Sequence, residues 1–140
     1  MHRKKLKIAK LKPTGKIGRI SRNDVDLEPN EEETIKLLAE LGFGIDCLKK
    51  NHIPKSHSAD IVMLGTIWEM KSPESINRKT LKKRIHKASL QSTHIIFDLR
   101  RLPSDTDSIE EIIIEKFKEK STLRRLVIIR PTGEALDFQK

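Results

Sequence analysis

The stretch ADIVMLGTIWEMK, Ala59 to Lys71, limits the possible folds more than any other part of the chain. Two alternating apolar runs flank a glycine, the signature of a β-hairpin. With Gly65 and Thr66 as the central residues of a type II′ turn, the expected pairs are Leu64–Ile67, Met63–Trp68, Val62–Glu69, Ile61–Met70 and Asp60–Lys71. Directly opposed side chains share a face. Asp60, Val62, Leu64, Ile67, Glu69 and Lys71 therefore lie on one face, and the wholly apolar Ile61, Met63, Trp68 and Met70 on the other.

Asp60, Glu69 and Lys71 are thus neighbours at the open end of the hairpin. Two carboxylates and an ammonium within reach of one another can build a site for a hard divalent cation, which takes oxygen ligands. The same residue types also make an ordinary ion pair on an edge strand. A further acid comes from NEEETIKLLAELGFG, which reads as a helix capped by Asn30, with Ile35, Leu37, Leu38 and Leu41 inward and Gly42 or Gly44 at its end. Glu31 lies on the stripe of Ile35 and Leu38. If this helix packs over the charged face, Glu31 reaches the hairpin acids.

Beyond the hairpin, SPESINRKTLKKRIHKASLQS predicts a second helix, capped by Ser75 or Asn77, with Leu81, Ile85 and Ala88 inward. THIIFDLR predicts a buried strand. SDTDSIEEIIIEKFKEKS predicts a third helix with Ile109, Ile112, Ile113 and Phe117 inward. LRRLVIIRP predicts another strand, and TGEALDF a turn and a short edge strand. A hairpin followed by two helix–strand alternations implies an α/β fold with a mixed central β-sheet flanked by helices.

Charge divides the chain in two. The net charge is +9, and residues 1–22 hold nine Lys and Arg and no acid, leaving the rest neutral. Residues 1–28 read as a basic leader or linker, largely extended or without regular structure, and 29–140 as the domain. Such an arm either contacts nucleic acid or is simply solvated. From Ser75 to Phe97 the chain carries Arg78, Lys79, Lys82, Lys83, Arg84 and Lys87 and no acid. Arg78, Lys79, Lys82, Lys83 and Lys87 are candidate phosphate contacts beside the hairpin. Arg100 and Arg101 end a strand and are either phosphate contacts or surface charges. His52 and His57 precede Asp60 and could approach a substrate, although exposed histidines are the commoner case. Cys47 is the one cysteine, which rules out an internal disulfide and reads as a small buried apolar residue. No apolar run is long enough for a membrane-spanning helix.

Asp60 opening one strand and Glu69-Met70-Lys71 on the next resemble the core motif of the PD-(D/E)XK nuclease superfamily, with Ala59 in place of the motif's proline. NEEETIKLLAELGFGI, SADIVMLGTIWEMKSP and HIIFDLRR together resemble the C-terminal tRNA nuclease domain of contact-dependent growth inhibition toxins of the CdiA type, over about residues 30–138. The resemblance implies a metal-dependent endoribonuclease that cuts tRNA in the cytoplasm of a target cell. It would be delivered as part of a larger secreted protein and held in check by a cognate immunity protein. It further implies that Asp60 and Glu69 hold a divalent ion, Mg²⁺ or alternatively Mn²⁺ or Zn²⁺. Glu31 would be a further ligand or a positioner of water, and Lys71 would polarise the water or the phosphate. A DNA endonuclease of the same superfamily and a non-catalytic nucleic-acid-binding module are the alternatives.

Overall fold

A computed structural model describes residues 6–49, 60–75, 77–103 and 105–140. In chain order the elements are β1 (Lys7–Leu11), β2 (Ile20–Ser21), α1 (Pro29–Glu40), β3 (Ile45–Cys47), β4 (Asp60–Met63), β5 (Thr66–Lys71), α2 (Arg78–Gln91), β6 (His94–Asp98), α3 (Asp107–Glu119), β7 (Arg125–Ile129) and β8 (Ala135–Gln139). The strands form one eight-stranded sheet in the order β1-β8-β7-β6-β5-β4-β3-β2. β5, β6 and β7 run parallel, joined by the α2 and α3 crossovers, while β4–β5, β7–β8 and β1–β8 are antiparallel. The sheet is mixed, as the alternation of apolar runs predicts.

Two cores lie on opposite faces. One joins Ile35 and Leu38 of α1 to Ile61, Met63, Trp68, Met70 and Ile96. The other joins Leu81 and Ile85 of α2, and Ile113 and Phe117 of α3, to Ile95, Phe97, Leu126 and Ile128. The wholly apolar hairpin face is therefore the floor beneath α1, and the face carrying Glu69 and Lys71 belongs to the α2–α3 layer. The expectation that α1 packs over the charged face is not met. The apolar stripe of α1 needs an apolar floor, and on the hairpin the Ile61–Met70 face supplies it.

The hairpin register also differs from the expected one. Asp60 pairs with Glu69, Ile61 with Trp68, Val62 with Ile67 and Met63 with Thr66. The central turn residues are Leu64 (φ 54°) and Gly65 (φ 72°). Positive φ at both positions gives a type I′ turn, whose twist matches that of the strands it joins. The partner is displaced by two residues, and because side chains alternate with period two, each residue keeps its face. Trp68 is further fixed by its Nε1–H, which donates to the Met63 carbonyl at 2.9 Å.

Part of the basic leader belongs to the sheet. Lys7–Leu11 pairs along β8 from Ala135 to Gln139, and Ile20–Ser21 pairs with Ile45–Asp46. These segments supply both edge strands. β1 carries Lys7 and Lys10 on an exposed edge, where charge discourages pairing with another chain. Arg22 pairs with Glu32, and Gly18 N–H donates to the Ala39 carbonyl at 2.7 Å, tying the leader to α1. The short strands lack a long apolar period because half of each edge faces water.

Candidate active site

Glu69 sits in the middle of a parallel–antiparallel junction, between β4 and β6, and is 2 % exposed. Lys71, two residues on, points to the same side, with Nζ 3.3 Å from Glu69 Oε1. The lysine stem is largely covered, so this is a shielded ion pair and not a surface one. The backbone of Asp60 lies directly opposite Glu69. The Asp60 side chain, like His52 and His57, lies outside the described residues.

Glu31 approaches from the other layer. α1 begins with Pro29 at its first position, after Glu28 as N-cap and not Asn30. Glu31 is then the third helical residue, and its Oε1 accepts the Glu28 backbone N–H at 2.9 Å. This bond holds the buried carboxylate at the helix N-terminus, where the helix dipole favours negative charge. Its neighbour one turn along, Thr34, donates to Asp98 Oδ2 at 2.7 Å. Asp98 also accepts from Arg100, with Nη2 2.8 Å from Oδ2 and the backbone N–H 3.1 Å from Oδ1. This buried network pins the start of α1 to the C-terminal end of β6. The Arg100 guanidinium is held still more firmly in its charged form by Asp98.

Glu31 and Lys71 line one cleft of about 440 Å³ at the C-terminal ends of the parallel strands, together with Ser72, Arg84, Lys87 and Arg101. That end of an open α/β sheet is where such folds bind ligands. An adjoining hollow of about 600 Å³ runs along the N-terminus of α1 and shares Glu31 and Arg101. Arg101 bridges the rim, reaching the Ser72 carbonyl and pairing with Glu74.

Of the expected site residues, Glu31 and Lys71 thus meet at one cleft, Glu69 stands behind Lys71, and Asp60 is placed by its backbone register. Among the described residues no three His, Cys, Asp or Glu form a metal-holding group. Glu31 and Glu69 are carboxylate donors of the kind a hard divalent cation takes, and Asp60 is the third acid of the expected set. Of the candidate phosphate contacts, Lys87 faces the cleft, while Arg78, Lys79, Lys82 and Lys83 are exposed on α2 and do not line it. Arg84 also lines the cleft; the inward stripe of α2 is legible in the sequence, but which flank of the helix meets the cleft depends on its tertiary neighbours. Arg101 reaches the cleft from a connection whose path has no periodic signal.

The family model for the contact-dependent growth inhibition CdiA C-terminal domain matches residues 57–135. No curated protein matches the sequence. Among solved structures, a CdiA-CT/CdiI toxin and immunity complex from Burkholderia pseudomallei has a chain of the same fold. It superposes with a TM-score of 0.66 at 18 % identity, covering 88 % of this chain and 100 % of that one.

Proposed function

This chain belongs to the contact-dependent growth inhibition CdiA C-terminal domain family, a toxin domain of interbacterial competition, and we propose that it acts as a metal-dependent endoribonuclease. tRNA in the cytoplasm of the target cell is the proposed substrate. The observation that carries this reading is the shielded Glu69–Lys71 pair behind a cleft that Glu31 enters from the opposite layer. A structural ion pair has no need of a second buried acid facing the same cleft, whereas phosphodiester hydrolysis uses both.

Asp60 and Glu69, with Glu31 as a further ligand, would hold the divalent ion, Mg²⁺ or Mn²⁺, through carboxylate oxygens. A bound ion of this kind would stabilise charge on the phosphate oxygens. Lys71 is held by Glu69 with its ammonium toward the cleft. There it can polarise a non-bridging phosphate oxygen or orient the attacking water. Glu31, fixed by the Glu28 N–H, can accept a hydrogen bond from that water. Burial of Glu69 keeps its carboxylate from wandering to solvent, so the Lys71 position is set before substrate arrives.

Arrival in a target cell implies export as part of a larger protein, and the producing cell then needs protection. The similar Burkholderia pseudomallei structure is a toxin in complex with its immunity protein, which supports a cognate immunity partner here. Incubation with total tRNA and with plasmid DNA, in Mg²⁺ or EDTA, tests the reading. Cleavage of tRNA in Mg²⁺ alone, reduced at least about 100-fold by Glu69→Ala or Asp60→Ala, is expected. Cleavage of DNA only would make the protein a DNA endonuclease. Cleavage of neither substrate would remove the nuclease reading, and cleavage surviving both substitutions would remove the site.

A further inference from the structure

We propose that one flank of α2, carrying Arg84, Lys87 and Gln91, is a rail that binds the phosphate backbone of single-stranded nucleic acid, and that the bases of the opposite flank take no part. The identity of the ligand rests on the nuclease reading; the choice of flank rests on geometry.

α2 holds six bases and no acid between Arg78 and Gln91, so charge alone marks no direction. Its rotation does. Leu81, Ile85 and Ala88 are buried in the core and fix the inward stripe. Residues 84, 87 and 91, spaced i, i+3 and i+7, run down one side of that stripe. Arg78, Lys82 and His86 run down the other. The contacts settle which side faces what. Arg84, Lys87 and Gln91 line the cleft with Lys71. His86 Nδ1 lies 2.8 Å from Lys120 Nζ, beside α3, and Lys82 lies close enough to Glu119 to help hold that acid's pKa down.

Place beside Lys71 at the cleft, and not pairing, separates the two flanks, since among the described residues Arg78 and Lys82 are in no ion pair either. Among the described residues, Arg84 and Lys87 take part in no ion pair. Arg101, across the cleft, is already engaged by Glu74 and the Ser72 carbonyl. Two cations beside Lys71 without a protein counter-ion suit phosphates, and the Gln91 amide can donate to a phosphate or a sugar. From Arg84 to Gln91 is about 10 Å along the helix, a row longer than one phosphate group. The cleft, at about 440 Å³, has the volume of a small-ligand site, a size suited to one strand.

The test titrates a short fluorescent single-stranded RNA, and its duplex, in EDTA at several salt concentrations. The proteins are wild type, Arg84→Ala/Lys87→Ala and Arg78→Ala/Lys82→Ala, with circular dichroism melts to verify folding. The cleft-flank variant is expected to bind about tenfold more weakly, with a salt slope shallower by roughly 1.4, about 0.7 for each lost phosphate contact. The other variant should stay within about twofold, and Arg84→Lys/Lys87→Arg should restore binding. Equal losses from both flanks, an unchanged cleft-flank variant, tighter binding of the duplex or no binding by wild type would overturn the rail. Binding without cleavage in Mg²⁺ would remove the nuclease reading and leave the rail standing. Cleavage with undiminished binding by the cleft-flank variant would remove the rail alone.

Discussion

Asp60 stands directly opposite Glu69 in the β4–β5 ladder, two residues from the pairing with Lys71 that the sequence suggests. The displacement pairs the backbone position of Asp60 with an acid instead of a base. Like charges directly opposed on a sheet repel, so this register is costly unless a cation or a hydrogen-bond donor lies between them. Lys71, diagonal to Asp60 and 3.3 Å from Glu69, supplies part of that compensation.

The register depends on the Leu64–Gly65 turn. Leu64 is 55 % exposed and left-handed, a conformation that costs a leucine about 1–2 kcal/mol and an asparagine less. Leu64→Asn is expected to stabilise the protein by ~1 kcal/mol, raising Tm by roughly 3 °C with cleavage unchanged. A fall in Tm on thermal denaturation would mean that position 64 lies in a strand and the turn is elsewhere.

The basic leader is expected to matter for folding as well as for charge. A Cβ on Gly18 would overlap the carbonyl of Phe43, a backbone group that cannot swing aside. Gly18→Ala should cost at least ~2 kcal/mol in urea denaturation, the size of an overpacking strain. A neutral result would show that residues 14–21 do not dock beside α1.

Asp98 is expected to hold Glu31 in place indirectly, through Thr34. Asp98→Ala deprives the Arg100 guanidinium of its carboxylate and leaves the buried Thr34 hydroxyl only the Asn30 carbonyl, and should cost about 2–3 kcal/mol. Thr34→Val keeps the Asp98–Arg100 pair and removes the link from α1 to Asp98, together with the hydroxyl's contact to the Asn30 carbonyl, at a cost of about 1 kcal/mol. If Glu31 serves the proposed reaction, Thr34→Val lowers kcat more than it lowers Tm would predict. Wild-type kcat in a folded Thr34→Val protein would separate α1 from the chemistry.

Acid should weaken the fold through His94. Its ring meets Trp68 edge-on at 4.9 Å, and burial first, then the nearby Arg125, hold its pKa below the usual value, opposed by Asp137. The unfolded chain therefore binds this proton first, near pH 6.5. Stability is full above that pH and falls as pH drops toward the folded value. His94→Gln should remove this part of the acid loss, so that the Tm gap between wild type and variant shifts in the variant's favour from pH 7.5 to 5.5. A gap independent of pH would show that His94 does not contribute.

The helices, the central strands and the hairpin residues that share a face are all legible in the order of the amino acids. Those features follow from local periods of 3.6 and 2, and a two-residue slip leaves the period-two pattern intact. The same invariance hid the true partner of Asp60, because alternation cannot tell one register from another of the same parity. That the turn is Leu64–Gly65, that the leader's short segments close both sheet edges, and that α1 lies on the apolar layer with Glu31 reaching the cleft from its end, is visible in the folded chain. It alone separated Arg84 and Lys87 from the other bases of α2. These facts depend on contacts between residues far apart in the chain, where burial of matching apolar faces outweighs any local preference.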